Sequence, residues 1–316
     1  MKAYKLLPYL FSFLYLFFLP SINFSATLFQ ENFEDTNFAS RGWYDSTNLK
    51  LSTTERYAGN SSVEYHFLPS ATTPEISGGA IRHLFTPTDE VYVSYWVKYS
   101  ANYTGSNRSY HPHEFLLLTT ENSNYAGPAY THLTAYIEQN EGTPLLGIQD
   151  GQNIDLARIN QDLTNITENR AVAGCNGTLN DGYTIFDCYP VGGGIYWNGK
   201  VWKANNIYFQ DTLGPYYKNN WHHIEAYFKL NSIANGKGAA DGIIRYWYDG
   251  QLIIERTNII MRTAQYPNMK FNQFLIAPWI GDGSPVDQTM WVDDLTVGTS
   301  RPTGDNTPPS APSSLR

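Results

Sequence analysis

Between Trp221 and Val297 the chain reads as four β-rich runs separated by turn residues. In HHIEAYFKL, Ile224, Ala226, Phe228 and Leu230 alternate with His223, Glu225, Tyr227 and Lys229. That period of two predicts a strand with one buried and one wet face. YWYDGQLII follows, with Asp249-Gly250 between two β-rich segments as a tight hairpin signal. A third run reaches Pro278-Trp279 and turns through Gly281-Asp282-Gly283, and a fourth, TMWVDDLTV, holds Asp293-Asp294 inside an otherwise apolar strand. Consecutive strands joined by short turns commit this part of the chain to antiparallel sheet.

The same period appears upstream. In VYVSYWVKYS, Val91, Val93, Tyr95, Val97 and Tyr99 share one face, and Tyr92, Ser94, Trp96 and Lys98 share the other. In THLTAYIEQN, Leu133, Ala135 and Ile137 point to the core, leaving His132, Thr134, Tyr136 and Glu138 in a row. Composition agrees, because 24 Tyr and 8 Trp against 16% charged residues suit a pleated, half-buried surface better than helices. The expected class is all-β, a two-sheet antiparallel β-sandwich, and 316 residues fit one such domain.

The strand WHHIEAY, the strand-turn-strand RYWYDGQL and the closing WVDDLTV, together with VYVSYWVKYS, resemble the concanavalin A-like jelly roll of lectins, laminarinase-type glucanases and several polysaccharide lyases. The resemblance covers about Phe29 to Thr299, and within the superfamily the alginate and glucuronan lyases are the enzymes it is most similar to. It implies a polysaccharide partner and, as the activity, cleavage of an acidic polysaccharide by β-elimination. A carbohydrate-binding, lectin-like module without chemistry is the alternative. The start LFQENFED, set against Asp293-Asp294, resembles jelly rolls whose first and last strands share a structural calcium ion. On that resemblance Glu34, Asp35, Asp293 and Asp294 are the candidate ligands.

Residues 1–26 read as a secretory signal, with Lys2 and Lys5 ahead of an apolar run from Leu6 to Leu19. No later stretch is apolar enough to span a bilayer. The expected location is therefore outside the cell or in a periplasm. Cys175 and Cys188 fit a disulfide in such an oxidising space; a metal or redox site is the other reading. Regular alternation lapses over about 147–214, the expected disulfide-bearing insertion. Within it, IYWNGKVW suggests a hairpin around Asn198-Gly199 with Tyr196, Trp197, Trp202 and Tyr208 partly exposed. Residues 27–299 form the jelly-roll domain, and 300–316, rich in Pro and Ser, form a linker or the start of a fibronectin type III module.

A net charge of −8 argues against a nucleic-acid partner, which needs a basic stripe for its phosphates. Hydrolysis with retention needs two carboxylates about 5 Å apart, yet the E-x-D-x-x-E strand of retaining glucanases is missing, leaving Glu138 and Glu225 as acids on separate strands. Elimination needs a base, an acid and groups that neutralise the uronate carboxylate. His113, His132 and Tyr136 are the candidate base and acid, and Arg82, Lys98 and Arg245 the candidate cations. Trp96 and Glu138 complete the candidate substrate-binding set. His113 follows His111-Pro112 at the mouth of an apolar strand, where it either lines a site or hydrogen-bonds a loop. Convergence of His113, His132, Tyr136 and a cation would separate enzyme from binding module.

Overall fold

The computed structural model describes residues 26–76, 80–107, 112–119, 133–149, 199–262 and 267–302. Chain order runs β1 (Thr27–Glu31), a 3-10 turn at Phe38–Arg41, β2 (Trp43–Asp45), β3 (Lys50–Ser52), β4 (Ser62–Phe67), β5 (Ile81–Thr88) and β6 (Glu90–Tyr99). Next come β7 (His113–Leu118), β8 (Thr134–Asn140), β9 (Thr143–Gln149), β10 (Gly199–Lys203) and β11 (His222–Lys229). A small hairpin, β12 (Ile233–Ala234) and β13 (Lys237–Gly238), precedes β14 (Gly242–Tyr248), β15 (Gln251–Ile259), β16 (Phe271–Trp279) and β17 (Gln288–Gly298).

These strands build two antiparallel sheets. One has the order β15-β14-β11-β6-β17-β4-β3, with β1 also paired to β17; the other has the order β10-β9-β8-β7-β16-β5-β2. The chain crosses between sheets from β4 to β5, β5 to β6, β6 to β7 and β16 to β17, so one core serves both layers. The faces expected to be buried meet there. Val91, Val93, Tyr95 and Val97 on β6 and Ile224, Ala226 and Phe228 on β11 join Phe115, Leu117, Ala135, Ile137, Phe274 and Ile276 from the other sheet. Across the layers the Tyr95 and Phe115 rings lie 4.2 Å apart, and Phe228 and Phe271 lie 6.3 Å apart. Each buried ring of this size contributes roughly 2–3 kcal/mol of transfer free energy.

Turn chemistry follows the sequence at Asp249-Gly250. Both residues have positive φ, 48° and 79°, the geometry of a tight β14-β15 hairpin. Asp249 also accepts the His223 N–H at 2.8 Å, tying the turn to β11. Asp293-Asp294 marks the point where β17 changes partner along one edge, from β4 at Gln288–Val292 to β1 at Leu295–Gly298. The register against β6 slips there between Asp293 and Thr296, and Asp294 takes a φ of 45°.

Around β10 the structure departs from the expected reading. Gly199 opens β10, whose residues Gly199 to Lys203 pair with Gln149 to Leu145; the upstream half of the expected hairpin lies outside the described residues. Trp202 is fully buried and Tyr208 nearly so, where partial exposure was expected. Alternation inside a five-residue edge strand is too short to show which residues face the core. Tyr196 and Trp197, the Cys175 and Cys188 pair, most of the insertion, nearly all of the signal segment and the tail beyond residue 302 lie outside the described residues.

A buried carboxylate pins the first strand to the second sheet. Glu31 accepts the Phe33 N–H at 3.0 Å, Arg41 Nε at 2.8 Å and Trp43 Nε1 at 2.9 Å. Glu31→Ala would leave the buried Trp43 N–H without its acceptor and the Arg41 guanidinium with Asp35 alone, and should lower stability by about 3 kcal/mol in urea unfolding. Glu31→Gln, which keeps an acceptor for Trp43, should lose clearly less.

Candidate functional site

Directly opposed residues in a ladder point to the same face, so register locates the site. On the seven-stranded sheet Tyr44 pairs with Arg82, Arg82 with Leu275, Leu275 with Leu116 and Leu116 with Tyr136. Leu116 and Leu275 alternate with core-facing Phe115 and Phe274, so this row lies on the outer face. Leu116, Leu118, Tyr136 and Leu275 form an apolar cluster there, flanked by Ala80 and Ala277 and at most 5% exposed.

At the end of that cluster stands His113. The register between β16 and β7 shifts between Ile276 and Trp279, which brings Trp279 opposite His113. The imidazole stacks on Trp279 at 5.6 Å and 7°, and on Tyr136 at 5.3 Å and 26°. Its Nδ1 lies 2.7 Å from Glu138 Oε1. The Glu138 side chain is fully buried while His113 is 19% exposed. An ionised carboxylate only accepts, so against Glu138 the Nδ1 carries the proton and donates it. Nε2 is then the ring nitrogen that does not carry that proton. Trp279, 38% exposed, stands beside it.

The expected residues divide into four groups. His113, Tyr136 and Glu138 come together. His132 lies outside the described residues. Arg82 shares the face, but three strand spacings, roughly 14 Å, separate it from Tyr136. Its guanidinium is buried and engaged with Asp45 at 2.5 Å and with Gln273 at 3.3 Å. The remaining three sit on the outer face of the other sheet, with the core between. Trp96 stacks on Tyr57 at 3.6 Å, Lys98 pairs with Glu55 at 2.6 Å, and Arg245 pairs with Glu255 at 2.8 Å. Alternation tells which residues share a face; it does not tell which sheet a strand joins.

The same division separates Glu138 from Glu225 and removes them as a pair of hydrolytic acids. Glu225 is buried on the eight-stranded sheet, where it accepts both Arg301 nitrogens at 2.7 and 2.8 Å and the Tyr92 hydroxyl at 2.7 Å. The Arg301 guanidinium lies 4.9 Å above the Trp247 ring, clamping the strap that follows β17.

β1 and β17 do lie side by side. Of the four acids near them, Glu34 accepts the Asn60 N–H at 2.9 Å, and Asp35 pairs with Arg41 at 2.7 Å. Asp293 accepts the N–H groups of Tyr57, Ala58 and Asp294. Burial pushes the Asp293 carboxyl up to about 6. Burial and the neighbouring Glu34 charge raise Asp294. Among the described residues no group of three or more His, Cys, Asp or Glu side chains that could hold a metal ion is found, which leaves a calcium site built partly on backbone carbonyls untested.

Two contributors escaped the sequence reading. Trp279 stands at the end of an apolar run and reads there as packing; its partner is fixed by the slipped register. Lys203, exposed, pairs with Leu145, which pairs with Glu138. It therefore falls in the Glu138 row, two strands and roughly 10 Å away. The alternation of KVWK held that signal, masked by the expected hairpin.

No protein-family model matches the sequence, and no curated protein sequence matches it. Among solved structures the chain is similar to the PL-14 alginate lyase from Aplysia kurodai, at 10% identity and a TM-score of 0.53, over 87% of this chain and 99% of that one. It is also similar to alginate lyase vAL-1 from Chlorella virus, at 13% identity and a TM-score of 0.53, over 87% of this chain and all 100% of that one. At such identities the likeness shows the fold alone: a two-sheet antiparallel jelly-roll sandwich like those of the two lyases.

Burial alone would push the Glu225 carboxyl up, but Arg301 and Tyr92 outweigh it and hold the group below the usual 4.5. A depressed folded value means the pair stabilises fully above pH 4.5 and loses that contribution as the pH falls through the folded value. Arg301→Ala should cost about 3 kcal/mol at pH 7 and flatten the acid limb of the stability curve measured from pH 7 to pH 3.

Proposed function

We propose that this protein binds an acidic polysaccharide on the outer face of the seven-stranded sheet and cleaves it by β-elimination. The supporting observation is the His113 imidazole, held by buried Glu138 and stacked between Tyr136 and half-exposed Trp279. In this reading His113 Nε2 removes the proton from the carbon beside the uronate carboxylate. The bond to the leaving sugar oxygen breaks, the Tyr136 hydroxyl gives that oxygen a proton, and a carbon-carbon double bond remains. Trp279 stacks a sugar face, and Lys203 replaces Arg82, Lys98 and Arg245 as the cation that meets the polymer's charge. Export through residues 1–26, and a Cys175–Cys188 disulfide in the insertion, belong to the same proposal.

One observation favours a second reading. Tyr136 is only 2% exposed, which leaves Trp279 and His113 as the open part of the site. That surface suffices for a carbohydrate-binding module, whereas elimination requires the Tyr136 hydroxyl to reach the substrate.

The test is ultraviolet absorbance of the unsaturated uronate, with the mature chain incubated with alginate, glucuronan, pectate and heparin-type chains. The expected result is a rise with one of them that His113→Ala lowers by roughly 100-fold or more and Tyr136→Phe lowers comparably. A rise insensitive to His113→Ala would place the chemistry elsewhere. A flat trace with every polymer, together with retention on a polysaccharide gel that Trp279→Ala abolishes, would establish the binding module instead.

A further inference from the structure

His66 stands on the outer face of β4, opposite Thr289 of β17. Its imidazole sits between two acids. Nδ1 lies 3.1 Å from Glu75 Oε2, and Nε2 lies 2.8 Å from Asp287 Oδ1. An ionised carboxylate only accepts, and a neutral imidazole has a single N–H to donate. Both contacts are hydrogen bonds at once only when the ring is the imidazolium. Glu75 belongs to the loop 68–76 that follows β4. Asp287 belongs to the loop 280–287, which carries the chain from Trp279 at the end of β16 in one sheet to β17 in the other.

The backbones of these two loops are bonded to each other. The Ser70 N–H donates to the Ser284 carbonyl at 2.7 Å, the Ser284 N–H to Ala71 at 2.8 Å and the Ile280 N–H to Thr72 at 2.8 Å. Gly283 has a φ of 81°, and a Cβ there would come within 2.9 Å of the Ser70 oxygen, so the backbones touch. Ile280 directly follows Trp279. At its other end the loop 68–76 returns to β4, where the Glu75 N–H donates to the His66 carbonyl at 2.8 Å. The remaining charged groups beside the clamp are Glu64, next to His66 on the same face of β4, and Lys50 of β3, which pairs with Glu64 at 2.6 Å and also acts on Glu75.

We propose that His66 is a positioning residue for Trp279: its imidazolium clamps the loop 68–76 to the loop 280–287, and loss of its proton loosens the strand end where Trp279 stands. A neutral ring keeps one carboxylate and releases the other. Burial works against the charged ring, but Asp287 and Glu75 outweigh it and raise the group above the usual 6.5. A raised folded value means the clamp contributes fully below pH 6.5 and is lost as the pH rises through the folded value. Retention of a polysaccharide on Trp279 therefore weakens through the same pH range, under the control of a residue that never touches the ligand.

What the clamp does for a ligand rests on the site assigned above, but its test needs no ligand, so either can fail alone. The full mature chain, isotope-labelled, is followed by NMR from acid to alkaline pH, with the His66 ring signal identified from its loss in His66→Gln. The His66 midpoint is expected above 6.5, and Glu75→Gln and Asp287→Asn each lower it. Through that midpoint the Ile280 and Ser284 amides, corrected for the intrinsic effect of pH, exchange roughly fivefold faster. In His66→Gln they exchange at the faster rate at every pH. Where His66→Gln does not fold, Asp287→Asn serves, because the step in amide exchange moves down with the His66 midpoint. An Ile280 amide indifferent to the His66 titration, or a midpoint that neither acid variant lowers, would overturn the proposal. A coupled titration in a chain that neither cleaves nor retains any of the polymers would keep the clamp and discard the binding site.

Discussion

Leu116 lies opposite Leu275 on one side and Tyr136 on the other, and that register decides what each face of the seven-stranded sheet carries. A slip of one residue in β7 would turn Phe115 and Leu117 outward and bring Leu116 and Leu118 into a core shaped for rings. Because Phe115 packs on Tyr95 of β6 and Phe274 of β16, the slip is resisted from both sheets. The irregularity between Ile276 and Trp279 is confined to the strand end, beyond this anchored part. There it aligns an aromatic ring with His113. The core therefore holds the site's geometry without contributing any reacting group to it.

The two outer faces are committed differently. On the eight-stranded sheet the described polar groups answer one another: Lys98 meets Glu55, Arg245 meets Glu255, and Arg301 meets Glu225. Tyr57 lies flat on Trp96. Such matched pairs and covered rings suit a structural surface with a strap laid across it. The seven-stranded sheet instead carries a buried carboxylate and imidazole at the edge of an apolar floor, with Trp279 open beside them. An asymmetry of this kind is expected when one face is reserved for a ligand.

Much of the fold was legible because period-two alternation is a local property. Val91 to Tyr99, Leu133 to Ile137 and Ile224 to Leu230 all bury the residues their alternation assigns to the core. The Asp249-Gly250 turn was legible for the same reason, as two residues that tolerate positive φ between β-formers. Sheet membership was not, since it depends on which strands pair across long separations. Trp96, Lys98 and Arg245 were therefore grouped with Arg82 and His113 although they belong to opposite layers. Arg82 was read as a free cation because its partners, Asp45 and Gln273, are distant in sequence. Trp279 had no local signal that set it apart from packing.

The central claim, that a polysaccharide is received at His113, Tyr136 and Trp279, is tested most directly by a crystal structure of the His113→Ala chain with a uronate tetramer. The predicted result is a sugar ring stacked on Trp279, with a neighbouring carboxylate turned toward Lys203. A tetramer seated instead over Tyr57 and Trp96 on the eight-stranded sheet would contradict the claim and make that covered face the binding surface.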